Sequence, residues 1–138
     1  MIVLDTNVIS ELFRPAPAPA VIAWVTRLSS SELYTTAVTR GELLFGAYCL
    51  PEGQRKHELL RRMTVLFVQR FADHVLPYDG TAAEAQAAFA AMRRAQGRPV
   101  ALADAMIAGI ARSRGAQLAT RNTRDFEDCG IELIDPWQ

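Results

Sequence analysis

Short apolar runs alternate along this chain with longer segments of helical periodicity. Ile2-Val3-Leu4 is an apolar run cut off at Asp5, the pattern of a strand buried on both faces. Thr6 to Phe13 then predicts a short helix, stopped by the stiff Pro15-Ala-Pro-Ala-Pro19 connector, and a second helix runs from about Pro19 to Leu28. Glu32 to Thr36 is the next strand. Thr39 opens a helix, and a longer one with heavily charged faces spans about Glu52 to Phe71. Val75 to Tyr78 predicts a third strand, with Pro77 at its end because proline cannot donate to a ladder.

Further on, Thr81-Ala82-Ala83-Glu84 is a capping-box pattern ahead of an alanine-rich helix that ends near Gln96, before Gly97. Leu102 to Arg114 is another helix, closed by Gly115, with Leu102, Ala105, Met106 and Gly109 expected on its core-facing stripe. Gln117 to Thr120 and Glu132 to Ile134 complete the strands. Strands separated by helices throughout predict an α/β domain spanning 1–138, with a mostly parallel sheet of four or five strands flanked by helices.

Composition narrows the setting. A chain of 138 residues, half of them apolar, buries about 68% of its unfolded surface and needs no disulfide staples. Cys49 and Cys129 stand apart, with no metal-ligand spacing, and read as idle or buried thiols. No apolar stretch is long enough for a membrane span, and the N-terminus lacks the basic segment of a signal peptide, so a cytoplasmic protein with no membrane partner is expected. Fifteen acids balance fifteen bases, so no net field favours a polyanion. Lys56 is the only lysine beside fourteen arginines; arginine suits bidentate phosphate contacts, but the bias decides nothing alone.

Several α/β chemistries are excluded by missing residues. No G-x-G-x-x-G follows the first strand, no Gly-Lys forms a phosphate loop, and no G-x-S-x-G elbow occurs. His57 and His74 lie in or beside the charged helix and read as surface or helix-end residues.

What remains is acid. Asp5 stands at the carboxyl end of the first strand, where open α/β sheets place ligands, and also where a helix N-cap would sit. Glu42 closes the capping-box pattern Thr39-Arg40-Gly41-Glu42, in which it would bond back to the Thr39 amide. Gly41 is out of place in that first turn by about 1 kcal/mol of helix propensity and would permit close approach of backbone or ligand. Asp104 lies early in an apolar helix, where the helix dipole alone would welcome it. Asn122 and Asp125 share a polar turn after a strand.

Taken in order, Asp5-Thr6-Asn7, Thr39 to Glu42, Ala103 to Ala108 and Thr120 to Phe126 resemble the motifs of the PIN-domain nucleases. More narrowly, the whole chain resembles VapC-type toxins of VapBC toxin–antitoxin pairs, close to the FitB branch. The resemblance implies an endoribonuclease with its acids gathered in one cleft at the sheet's carboxyl edge. Asp5 and Asp104 match the principal metal ligands, Glu42 the third acid, and Asn122 falls where many relatives carry a fourth. Asp125 is the candidate substitute, and Thr6, Asn7 and Thr120 are supporting residues. A homodimer and an antitoxin that blocks the cleft are also implied.

Clustered carboxylates repel one another unless a cation neutralises them, and hard oxygen ligands suit Mg²⁺, with Mn²⁺ as substitute. Water activated by such an ion would attack phosphorus, leaving a 5′-phosphate and a 3′-hydroxyl. Replacing Asp5 or Asp104 by its amide is therefore expected to preserve or raise stability without metal. Arg40, Arg94, Arg98 and Arg121, with Arg93 and Arg124, flank the acids in sequence as candidate RNA-backbone contacts. The alternative is a PIN-like binding module with weakened catalysis, suggested by Asn122. A haloacid-dehalogenase-type phosphatase is disfavoured, because Asn7 stands where that family needs a second acid.

Overall fold

A computed structural model describes all residues, 1–138. Five strands form one sheet: β1 (Ile2–Leu4), β2 (Leu33–Thr36), β3 (Val75–Leu76), β4 (Gln117–Ala119) and β5 (Leu133–Ile134). Their order is β3-β2-β1-β4-β5, and every neighbouring pair is parallel. The helices are α1 (Thr6–Leu12), α2 (Pro19–Arg27), α3 (Ala37–Tyr48), α4 (Gln54–Val65), α5 (Gly80–Ala95) and α6 (Leu102–Ser113). A π-helical turn, Leu66–Arg70, extends α4, and a 3₁₀ turn, Thr123–Phe126, lies between β4 and β5.

Two cores explain the unbroken apolar runs of the strands. Val3 and Leu118 join Phe89, Ile107 and Ile110 of α5 and α6 on one side. Ile2, Leu4 and Ala119 join Val8, Ile9, Val21, Leu43 and Met63 of α1 to α4 on the other. Alternate side chains of one strand thus serve opposite cores, as in a sheet covered on both faces. Gly109 lets α5 and α6 approach closely: a Cβ there would lie 2.5 Å from the Ala82 carbonyl oxygen. The proline-rich connector is tied down by Glu11, whose buried carboxylate accepts the Ala18 N–H at 2.8 Å.

Three local expectations are corrected. Helix α3 starts at Ala37, because Thr36, where β2 ends, is its N-cap and accepts the Thr39 N–H at 3.0 Å. Thr39 to Glu42 is therefore not a capping box. Likewise Asp79, not Thr81, caps α5 through the Ala82 N–H. Third, Leu102 is 68% exposed and Met106 half-buried, whereas Ala105 and Ile107 to Ala111 are buried, so α6 is covered over more of its circumference than one stripe.

The order of strands places a topological switch beside β1. The chain leaves β1 for β2 on one side and returns to β4 on the other. Loops following β1 and β4 therefore diverge, and the crevice between them is where ligands bind in sheets of this kind. Asp5 and Thr120 are the residues that follow those two strands.

Candidate active site

Asp5 is fixed from both sides of that crevice. Its backbone N–H bonds to Ala119 across the sheet at 2.9 Å. One carboxylate oxygen accepts the Thr6 N–H at 2.8 Å, and the other accepts the Thr120 hydroxyl at 2.8 Å and the Asn7 amide at 3.1 Å. Asp5 is thus the N-cap of α1, and the same carboxylate is held by Thr120 from beyond β4. It is only 3% exposed. Burial raises its carboxyl above the ordinary value against the bonds from Thr120 and Thr6, and the charges of Glu42 and Asp125 raise it further.

The supporting residues form two hydrogen-bonded strings. Asn7 accepts the Arg121 N–H at 3.2 Å, and Thr120 accepts the Asn122 N–H at 3.1 Å, which ties the turn after β4 to the start of α1. On the other side, Glu42 accepts the Thr6 hydroxyl at 2.7 Å, so its partner is 36 residues away rather than in its own helix. Thr6 meets Thr39 at 3.0 Å, and Thr36 donates to Thr39 at 3.3 Å. In the one direction where each hydroxyl donates once, the chain runs Thr36 to Thr39 to Thr6 and ends on Glu42.

Asp104 has no such support. It sits half-buried in the first turn of α6, and no hydrogen bond stabilises its charge. Burial first, then the charges of Asp5, Asp125 and Glu42, push its carboxyl up to about 6. Those three neighbours and Asp104 form one electrostatic group. No three acidic, histidine or cysteine side chains converge into a ready-made ligand set. The donor set is all oxygen, and no basic side chain is among the influences on Asp104. Such a set fits a hard divalent ion.

Asn122 and Asp125 are both exposed on the turn after β4, but only Asp125 adds charge at Asp5 and Asp104. Gly41 is exposed, and a Cβ there would meet nothing within 4 Å, so no backbone approaches it.

The candidate RNA-contacting arginines separate. Arg93 is 5% exposed and is a structural anchor. It donates to the carbonyls of Arg98, Arg124, Asp125 and Glu127, fastening the turn that carries Asp125. The signal was present, because Ala82, Phe89 and Arg93 share one helical face. Arg98 pairs with Glu127 at 2.6 Å, Arg121 lies over the Trp137 ring, and Arg40 lies over Phe67. Arg94 and Arg124 are exposed. His74 stacks on Tyr34 and bonds the Leu33 carbonyl, while His57 stands exposed beside Glu52; neither is part of the acidic group.

The PIN-domain family profile matches residues 2–131. The chain belongs to the PIN-domain family. Within it, the chain is 39% identical over 138 residues to a VapC ribonuclease of Sinorhizobium fredii, covering 100% of this chain and 99% of that protein. It is 36% identical to a tRNA(fMet)-specific endonuclease VapC of Shigella flexneri, covering 97% of this chain and 96% of the relative. The crystal structure of FitAcB from Neisseria gonorrhoeae superposes with a TM-score of 0.94 at 36% identity, covering 100% of this chain and 99% of that one. These are VapC- and FitB-type relatives along the full PIN domain. No helix is long and apolar enough to cross a membrane.

Proposed function

We propose that this PIN-domain protein is a cytoplasmic, Mg²⁺-dependent endoribonuclease, the toxin of a VapBC-type pair, with tRNA as the substrate class suggested by its relatives. The observation that carries the reading is the hydrogen-bonded network at the switch point of the sheet, in which Thr6, Asn7 and Thr120 hold Asp5 and the Thr6 hydroxyl ties in Glu42, with Asp104 as an unsupported acid beside it. Asp5, Glu42, Asp104 and Asp125 would hold the ion, with Mn²⁺ as a substitute. When bound, the ion supplies a polarised water and neutralises charge developing on the phosphate.

The chain's own residues organise that chemistry. Thr120, Asn7 and the Thr6 N–H hold the Asp5 oxygens in place, and the Thr36–Thr39–Thr6 string orients Glu42. Asp125 supplies the fourth charge from a turn anchored by Arg93. With that charge present, the amide at Asn122 no longer argues for lost catalysis.

Two surfaces suit the expected partners. An apolar groove of about 500 Å³, with Leu12, Phe13, Ile22, Val25 and Leu66 in its lining, suits an apolar segment of the antitoxin. Phe45 and Tyr48 of α3 are 71% and 62% exposed and offer a face for a second copy.

Purified protein incubated with a tRNA pool and Mn²⁺ should yield fragments with 5′-phosphate ends. Asp104→Asn should cut the yield by roughly two orders of magnitude or more while keeping its fold. Undiminished cleavage by the variant, or cleavage in the presence of chelator, would contradict the reading.

A further inference from the structure

Two clefts lie beside α4, and their linings differ in chemistry. They share Phe13 and Arg62, and the guanidinium stands over the ring, 5.1 Å from its centre. On one side is the apolar groove described above. On the other is a polar cleft of about 820 Å³ with the acid Glu42 in its lining.

From Glu42 this second cleft follows the seam between α1 and α3. Ser10 and Arg14 succeed Thr6 at four-residue intervals on one wall, and Gly46 succeeds Glu42 on the other. Arg55 and Arg62 project from α4 at a spacing of seven residues, two helical turns or about 10.5 Å. Neither pairs with a carboxylate, whereas Arg14 is bound to Glu11 at 3.3 Å. Buried Leu43, Ala47 and Met63 floor the cleft, and half-buried Phe13 and Leu59 add apolar surface. A Cβ added at Gly46 would meet nothing within 4 Å, so the cleft is open there.

We infer that this polar cleft holds the RNA strand on one side of the bond being cut, with Arg55 and Arg62 taking its phosphates. The inference rests on the nuclease reading and adds the path of the substrate. Guanidinium groups free of carboxylate partners bind phosphate, apolar surface between them suits base faces, and the cleft opens at a candidate catalytic acid. None of these arginines adjoins the acids in sequence, which is why the chain's linear pattern did not single them out.

The test uses a fluorescein-labelled, single-stranded oligouridylate with the full chain in chelator, followed by cleavage kinetics in Mn²⁺. Three variants are compared: the double change Arg55→Gln with Arg62→Gln; Gly46→Leu, which fills the cleft without deleting a contact; and Arg61→Gln, a control from the same helix that does not line it. Melting temperatures confirm folding.

Each cleft variant should raise the Kd for the oligouridylate about fivefold or more, and raise KM while leaving kcat within about twofold. Neutralising both arginines should reduce the slope of log K against log salt by roughly 1.4, about 0.7 for each phosphate contact on a single strand. Arg61→Gln should leave all of these unchanged. If the wild type binds and cleaves RNA and the cleft variants match it, the strand does not lie here and the nuclease reading stands. If the wild type neither binds nor cleaves RNA, both fall together.

Discussion

Asp5 and Asp104 are raised by the same physical causes, burial and neighbouring negative charge, yet the protein treats them in opposite ways. Asp5 receives three hydrogen bonds and is the cap that starts α1. Asp104 receives none. One acid is built into the fold, and the other is unsupported charge held beside it. The two amide variants are therefore expected to part: Asp104→Asn should preserve or raise metal-free stability, whereas Asp5→Asn should lower it by disturbing the three bonds that Asp5 accepts.

Activity should show the largest effect of breaking this pair. Asp104→Asn and Asp5→Ala should each lower RNA cleavage by roughly two orders of magnitude or more, in line with loss of a main electrostatic contributor to catalysis. Their stabilities should then diverge. In chelator Asp104→Asn should melt at or above the wild-type temperature, because a repulsion is removed. Asp5→Ala should lose about 2–3 kcal/mol, because buried donors from Thr6 and Thr120 are left without acceptors. Equal melting temperatures for the two variants would contradict the distinction.

Arg93 extends the contrast to the turn bearing Asp125. Arg93→Met should cost about 2–3 kcal/mol through unpaired carbonyls, and should weaken Mn²⁺-induced stabilisation as the turn loosens. Urea unfolding with and without Mn²⁺ measures both. Normal Mn²⁺ stabilisation would show that the anchor does not position Asp125.

The pH dependence of metal-free stability sharpens the comparison further. The folded protein holds the Asp104 proton up to about 6, whereas the unfolded carboxyl releases it near 3.8. The folded state thus binds more protons between those values, and stability falls as pH rises through that window. Asp104→Asn should flatten this part of the pH–stability curve. A curve identical to that of the wild type would contradict the assignment. The smallest effect belongs to Thr39→Val, which cuts the hydroxyl string to Glu42: it should slow cleavage about threefold to tenfold and cost about 1 kcal/mol.

Much of this was legible in the residues, for identifiable reasons. Ile2-Val3-Leu4 read as a strand because an apolar run flanked by polar breaks is what a doubly covered sheet requires, and Glu32 to Thr36 read as a strand one residue longer than β2 proves to be. Pro77 correctly marked the end of β3. Gly97 and Gly115 marked helix ends because both adopt positive φ, at 70° and 62°. The helix starts were less legible, since Thr36 and Thr39, or Asp79 and Thr81, offer competing caps a few residues apart, and the place where each preceding segment stops being extended decides between them.

At the site, the order of the acids was readable but their partners were not. Glu42 bonds Thr6 from another helix, and Asp5 bonds Thr120 across 115 positions; neither contact has a local signature. Arg93 stands with Arg94 in sequence as an RNA-contact candidate, and only the helical face it shares with Phe89 separates the buried anchor from its exposed neighbour.

The central claim is that four acids at the switch point act as one divalent-cation site for RNA hydrolysis. Its most direct test is the rate of RNA cleavage against Mn²⁺ concentration for the wild type, Asn122→Asp and Asp125→Asn. The account predicts that Asp125→Asn raises the Mn²⁺ required for half-maximal rate several-fold, while Asn122→Asp shifts it far less. A requirement unchanged by Asp125→Asn, or cleavage with no divalent ion present, would contradict it.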